Sequence, residues 1–142
     1  MTNLELVQAF FAGAPDDLVA AIADPAWVAG TRAALAPLVT DDFEFVTVES
    51  VGRPATRPGI DGFFAAYQEY MGMWECATLL PDRFVEIGDK VVVEAKIAGT
   101  TRRGGVPLQQ QVAAVYSFEG GKISRIEEFS DVASAHAAAA SA

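Results

Sequence analysis

The chain has 142 residues, one cysteine and one histidine, and its 19 acidic and 10 basic residues give a net charge of −9. A chain of this length forms a single domain with its own hydrophobic core. The charge argues against nucleic-acid binding, which needs clustered Lys and Arg. One Cys and one His cannot form an internal disulfide or a structural zinc site.

The N-terminal part of the chain carries no recognisable targeting or membrane signal. The first basic residue is Arg32, so the charged start of a secretory signal is missing. No apolar run approaches the roughly 20 residues that cross a bilayer. With the unpaired Cys76, these features predict a cytoplasmic protein that does not associate with membranes.

The first forty residues have the spacing of helices. Leu4, Val7 and Phe11 recur at the helical period and predict a first helix. Two further short helices are predicted after Pro15 and after Asp24, because proline and a capping aspartate are typical of a first turn.

From Phe43 onward the pattern changes to the period of two that is typical of strands. Residues 43–50 are dense in Phe, Val and Thr and predict a strand. A helix is predicted from Gly59, because large apolar residues follow at helical spacing. Four more strands are predicted, with glycine turns between them, at 78–87, 90–101, 106–118 and 122–130.

Strands joined by such short turns must be antiparallel. The sequence therefore predicts an α+β fold in which the N-terminal helices pack in the concave face of a strongly curved antiparallel sheet, a cystatin-like cone or roll. Residues 1–132 form the single predicted domain. The Ala-rich tail at 133–142 is either a short terminal helix or frayed chain.

A curled sheet closed by helices leaves a conical hollow that suits an apolar ligand. Aromatic residues of the helices are expected to face this hollow, namely Phe10, Trp27, Phe64 and Tyr67. Tyr116 and Trp74 are expected to add polar tips there, and Ala114 shares the face of Tyr116. The alternative is that these aromatics are ordinary core.

Several sequence phrases resemble the SnoaL-like branch of the nuclear transport factor 2-like superfamily. They lie at 39–45, 57–63, 84–93, 105–107, 115–118 and 121–131. The resemblance implies a cone of antiparallel sheet, often dimerised through the sheet. It also implies one of several functions, which include polyketide cyclases, ketosteroid isomerases, epoxide hydrolases and non-catalytic binding or scaffold proteins.

The residues that match the isomerase site lack its chemistry. Ser50 matches the base, Ala114 matches the protonated acid, and Phe10 or Phe11 matches the oxyanion-hole tyrosine. Enolisation needs both a base and an oxyanion donor, so that activity is excluded. Epoxide hydrolases of this fold use an Asp-Arg-Asp arrangement, and the segment 93–96 has neither the first Asp nor the Arg.

Glu128 is the one candidate catalytic residue. It matches the acid of the final strand in both the hydrolases and the cyclases of the family. Alternation places it on the same face as Ile126, and a carboxyl in an apolar pocket would titrate near neutral pH. The alternative is a structural acid near the strand end, bound to a backbone N–H or an arginine.

Other polar residues are expected to have no chemical role. Glu94 and Lys96 are predicted to form an exposed or interfacial pair, and His136, in the Ala-rich tail, is not expected to be catalytic. Cys76 is predicted to be a small core residue rather than a nucleophile. The glutamines at 109–111 are expected either in a dimer interface or in solvent.

Two functions follow from these observations. The first is a non-catalytic binder of a small hydrophobic molecule, or a dimeric scaffold. The alternative is an acid/base enzyme acting on a small hydrophobic ring compound. In both cases we expect a homodimer without metal or cofactor, and the sequence leaves open whether the protein is an enzyme.

Overall fold

The computed structural model describes residues 1–48 and 54–141. Its helices are α1 (Asn3–Phe11), α2 (Leu18–Ile22), α3 (Pro25–Leu35), α4 (Gly59–Met71) and α5 (Val132–Ala140), with a 3₁₀ turn at Ala36–Leu38. Its strands are β1 (Val39–Val48), β2 (Pro54–Pro58), β3 (Trp74–Ile87), β4 (Lys90–Thr101), β5 (Pro107–Glu119) and β6 (Lys122–Phe129).

Short polar side chains begin the N-terminal helices. Thr2 and Glu5 form a capping box at the start of α1, in which each side chain accepts a hydrogen bond from the other residue's backbone N–H. The Asp17 carboxylate caps α2 by accepting from the N–H of Val19 at 3.0 Å. It also accepts from the N–H of Ala77 at 3.1 Å, which ties α2 to β3.

The sheet has the strand order β2-β1-β6-β5-β4-β3. Its neighbours are antiparallel except β1 and β6, which run parallel. The predicted α+β fold is confirmed, with this one parallel pair added. The glycine turns fix the relative direction of consecutive strands only. Strands β1 and β6 are not consecutive, because all the other strands lie between them in the chain, so the turns do not determine how these two pair.

Strand β1 begins four residues earlier than predicted. Val39 pairs with Ile123 of β6, so the segment before Phe43 is drawn into the sheet. Ser50, the residue that matches the isomerase base, lies outside the described residues.

The two faces of the sheet are both covered. The inner, concave face packs against α1 and α4 and holds the main core, which includes Val7, Phe45, Val93 and Tyr116. The outer face is partly covered by α5, whose Ala135 and Ala139 pack in a second core. The Ala-rich tail is therefore a helix docked on the sheet.

A bulge in β3 places Trp74 in the interior. The pairing of β3 with β4 shifts between Trp74 and Cys76, so Trp74 and Ala77 both turn inward although they are three residues apart. Gly99 lies opposite this bulge, and a side chain there would collide with the Cys76 carbonyl. No helix within the described ranges is long and apolar enough to cross a membrane.

Candidate functional site

Glu128 lies on the concave face of the sheet, in β6. It is paired with Ala114 of β5, while Ile126 is paired with Tyr116 two residues away. Residues directly opposite each other in a ladder point to the same side. Because Tyr116 and Ile126 are buried in the main core, Glu128 points toward that core as well, and its side chain is partly buried.

The surroundings of Glu128 hold its carboxyl group close to neutrality. Burial raises the pKa of Glu128 from 4.5 to about 7, because the charged form loses water when it leaves bulk solvent. A positive charge nearby would lower the pKa of Glu128. The pKa is raised instead, because burial is the dominant effect. At neutral pH the carboxyl is therefore close to half protonated and can either give or accept a proton.

The charge of this carboxyl group affects three tyrosines on α4 and β5. Burial raises the pKa of Tyr67 and Tyr70, both on α4, and of Tyr116 on β5. The negative charge of Glu128 raises each of these pKa values further. All three remain neutral phenols at physiological pH.

Tyr70 connects this cluster to the surface. Its hydroxyl donates a hydrogen bond of 2.6 Å to the side-chain oxygen of Gln110 on β5. The ring of Tyr70 packs edge-on against Trp74, with ring centroids 6.2 Å apart. The Trp74 N–H lies beside the Tyr70 hydroxyl and lowers its pKa. That N–H is buried and makes no hydrogen bond of standard geometry to any group in the described residues.

Six of the eight residues predicted for the pocket lie along the concave face. They are Phe10, Tyr67, Trp74, Ala114, Tyr116 and Glu128. Phe64 is buried elsewhere, beneath the Arg32 guanidinium, which lies 5.1 Å from the centre of its ring. It follows Phe63 by one residue, and a helix turns about 100° per residue, so only Phe63 faces the sheet. Trp27 lies partly buried on α3, outside the core clusters of the described chain.

The aromatic rings beneath the sheet pack closely against one another. The ring centroids of Phe63 and Tyr67 are 4.8 Å apart, and those of Phe10 and Tyr116 are 5.8 Å apart. Phe45 stacks on Tyr67 at 6.0 Å. Two open grooves, of about 600 and about 280 Å³, lie on the helical side around Arg32. None of the predicted pocket residues lines these two grooves.

On the opposite face, Glu94 is buried beneath α5. Its carboxylate lies 2.9 Å from His136 Nε2 and 3.7 Å from Arg83 Nη1. Lys96 pairs instead with Asp82, at 3.8 Å. The predicted exposed or interfacial pair of Glu94 with Lys96 is therefore wrong, because α5 covers Glu94 and supplies its closest partner. His136 lies on the outer face, away from Glu128.

The sequence patterns do not connect Tyr70 or Gln110 with this site, and the glutamines at 109–111 are expected in a dimer interface or in solvent. Tyr70 follows Tyr67 by three residues, so helical spacing places the two side chains on neighbouring positions of one face. Gln110 alternates with Val112 and Ala114, which indicates the inner face. Their contact joins residues forty positions apart, and no local pattern reports it.

The described residues contain no group of three or more His, Cys, Asp or Glu side chains arranged to hold a metal ion. The candidate site consists of one carboxyl, three phenols and an indole on the inner face of a curved sheet, which belong to Glu128, Tyr67, Tyr70, Tyr116 and Trp74. That combination of fold and position defines a class of cone-shaped α+β domains whose polar groups lie inside the cone.

The chain belongs to the SnoaL-like domain family, whose model matches residues 19–126. The predicted resemblance is confirmed. Solved structures agree on the fold, and no curated protein matches the chain significantly.

Three structural neighbours illustrate the range of this fold. One is an uncharacterised cystatin-fold protein from Novosphingobium aromaticivorans, with 24% identity and a TM-score of 0.58 over 91% of this chain and 98% of that one. Another, from Catenulispora acidiphila, has a ketosteroid isomerase-like fold and is in complex with trimethylamine. It has 21% identity and a TM-score of 0.61 over 96% of this chain and 92% of that one. A third is a nuclear transport factor 2-like protein of unknown function from Burkholderia pseudomallei. It has 20% identity and a TM-score of 0.66 over 94% of this chain and 95% of that one.

Proposed function

We propose that the concave face around Glu128 binds a small hydrophobic molecule and that Glu128 exchanges a proton with it, without a metal or cofactor. The observation that carries this proposal is the position of Glu128. It is a partly buried carboxyl with a pKa of about 7, facing aromatic side chains. A proton-transfer group is most effective when its pKa lies near the working pH.

The residues around Glu128 support this role in different ways. Tyr67 and Tyr116 are neutral phenols, so they can donate hydrogen bonds to an oxygen that gains charge as the proton moves. Phe10 and Phe63 provide apolar surface for a ring compound. Membership of the SnoaL-like family agrees with a small-molecule site inside the cone but leaves the substrate open.

A substrate-independent assay tests the proton transfer. 5-Nitrobenzisoxazole is a small hydrophobic ring that opens when a base removes its C3 proton. The proton passes to the carboxylate of Glu128, the C–H electrons form the nitrile, and the N–O bond breaks to give a coloured phenolate. We expect turnover above the buffer rate, rising with pH to half its maximum near pH 7 as Glu128 loses its proton.

The neighbouring residue supplies a matched control. Glu127 lies on the outer face of the same strand, 3.7 Å from Arg125. Glu128→Gln should abolish the reaction and Glu127→Gln should leave it unchanged. Equal turnover in wild type and Glu128→Gln would exclude Glu128 as the base.

A second candidate function is non-catalytic binding or a dimeric scaffold. The close packing of Phe63 on Tyr67 favours this candidate, because tightly packed rings stabilise a core as well as a pocket wall. In that case Glu128 is a structural acid. Binding of a ring compound by thermal shift in both wild type and Glu128→Gln, without turnover in either, would support this second function over the first.

A further inference from the structure

The larger of the two open grooves lies between α2, α3 and α4, and its lining residues do not include Glu128. Its volume of about 600 Å³ is within the range of pockets that hold small organic molecules. Two polar groups line it, the Arg32 guanidinium and the Gln68 amide, and the other lining residues are Ile22, Ala23, Pro25, Val28 and Ala29. An apolar surface with a few polar groups is the composition typical of a ligand-binding groove.

One face of α3 supplies most of this lining. Pro25, Val28, Ala29 and Arg32 recur at helical spacing, so they form a continuous stripe along the helix. Val28 is half-buried, and Pro25 and Ala29 are exposed. The apolar part of the α3 stripe is therefore accessible to a ligand from solvent.

The guanidinium group of Arg32 is held in place at the C-terminal end of the α3 stripe. It lies over the ring of the buried Phe64, 5.1 Å from the ring centre. Its Nη1 atom also donates a hydrogen bond to the carboxylate of Asp61. Because Arg32 is already positioned by these two contacts, it loses little side-chain freedom when it binds a further group.

The contact with Asp61 leaves Arg32 able to bind a second anion. An arginine side chain has five N–H donors, and within the described residues only Nη1 of Arg32 is hydrogen-bonded. Asp61 is exposed, so this ion pair is a weak surface contact. The planar guanidinium group is well suited to a carboxylate, which can accept two parallel hydrogen bonds from it.

The local charges favour an anion in the larger groove over the smaller one. Arg32 lines both grooves, but the smaller groove is also lined by Asp41 and Asp61, which repel anions. Among the described residues that line the larger groove, Arg32 is the one that carries a charge. The net charge of −9 repels anions at long range. Salt screens that repulsion beyond about 8 Å at physiological ionic strength, so the adjacent guanidinium dominates once a ligand is bound.

We propose that this groove is a second binding site, which takes a small organic carboxylate. The hydrophobic body of the ligand lies against the α3 stripe, and its carboxylate binds the Arg32 guanidinium beside the Gln68 amide. Phe64 acts as a positioning residue, because its ring supports the guanidinium group. The inference does not depend on the proposed function, since the groove shares no residue with the Glu128 site.

Two probes of nearly the same shape test the charge of the ligand. Cinnamate carries a carboxylate, and cinnamamide has a neutral amide in its place. In chemical-shift titrations we expect cinnamate to bind about tenfold more tightly, because hydrogen bonds between charged groups are stronger than those to a neutral acceptor. The signals of Val28, Ala29 and Gln68 should shift on binding. Equal affinities of the two probes, or shifts that leave these three residues unchanged, overturn the inference.

A pair of arginine variants tests the contact with the carboxylate. Arg32→Gln should give cinnamate and cinnamamide equal affinities. Arg125→Gln is the matched control, because it removes the same charge from a side chain of similar exposure, 43% against 42% for Arg32, on the outer face of the sheet. It should keep the preference for cinnamate. Loss of the preference in both variants would assign it to net charge and overturn the inference.

A pair of alanine variants tests the groove itself. Ala29 and Ala34 are both exposed on α3, and of these two only Ala29 lines the groove. Ala29→Glu should abolish cinnamate binding, because it places a negative charge in the lining, and Ala34→Glu should bind like wild type. Neither position is in the core, so both variants should fold. Wild-type binding by Ala29→Glu would place the ligand elsewhere and overturn the inference.

Discussion

At the scale of single residues, the fold keeps one carboxyl in a position that favours its protonated form. Glu128 follows the alternation of β6, which also turns Ile126 inward. The backbone of β6 thus directs the Glu128 side chain inward, although an apolar interior disfavours a carboxylate. Its pKa of about 7 measures how much the folded state prefers the neutral acid to the carboxylate.

This preference predicts a pH-dependent contribution to stability. The pKa of Glu128 is raised on folding from 4.5 to about 7, so the native state binds more protons than the unfolded state between these values. Stability must therefore fall as the pH rises through this window and must be fully retained below it. The total loss is up to about 3 kcal/mol, since one pKa unit corresponds to about 1.4 kcal/mol.

The comparison of wild type with Glu128→Gln measures this contribution. In urea unfolding, the variant should gain stability relative to wild type between pH 4.5 and pH 8, because glutamine does not ionise. Glu127→Gln serves as the control and should show no such gain. A difference between wild type and Glu128→Gln that stays constant with pH would contradict the raised pKa.

At the scale of elements, helix α5 depends on a polar contact with the outer face of the sheet. Ala135 and Ala139 pack beside Val92, but their side chains are small. Between them His136 reaches the carboxylate of Glu94, which is 7% exposed. Without His136 this carboxylate would keep only the exposed Arg83, 3.7 Å away, and would bear most of the cost of its lost hydration.

Replacing His136 should therefore destabilise the protein through Glu94. We expect His136→Ala to lower the free energy of unfolding by about 1–3 kcal/mol. In a Glu94→Leu background, the same replacement should cost much less, because no buried charge remains. Urea unfolding of the four proteins gives the interaction energy directly. Equal costs of His136→Ala in both backgrounds would show that the contact does not hold α5.

The elements also show what local sequence patterns can and cannot predict. β4 has the predicted limits, Lys90–Thr101, because alternating residues and glycine turns act locally. The parallel pairing of β1 with β6 was not predictable from turns, since it joins distant segments. The sequence predicts an exposed or interfacial Glu94, because β4 carries no sign that α5 covers it. The Tyr70–Gln110 contact is unpredictable for the same reason. Helix and strand periodicities predict the face on which each residue lies, but not which residues of distant elements meet.

At the scale of the whole molecule, the helices and α5 leave part of the outer face uncovered. Leu80 lies there with 48% of its surface exposed, paired across the ladder with Lys96. Gln109 and Gln111 are also exposed on this face, whereas Gln110 points inward to Tyr70. An exposed leucine on the outer face of the sheet, beside Lys96 and near the uncharged Gln109 and Gln111, is suited to a self-complementary contact about a two-fold axis.

We therefore predict a homodimer formed through this part of the outer face. Light scattering at micromolar concentration should give about twice the 15.0 kDa mass of one chain. Leu80→Glu should yield monomers, because two copies would bring like charges together in the interface. Val106, 53% exposed at the tip between β4 and β5, provides the control, and Val106→Glu should remain dimeric. A monomeric wild type would contradict the prediction. A dimer that survives Leu80→Glu would place the interface elsewhere.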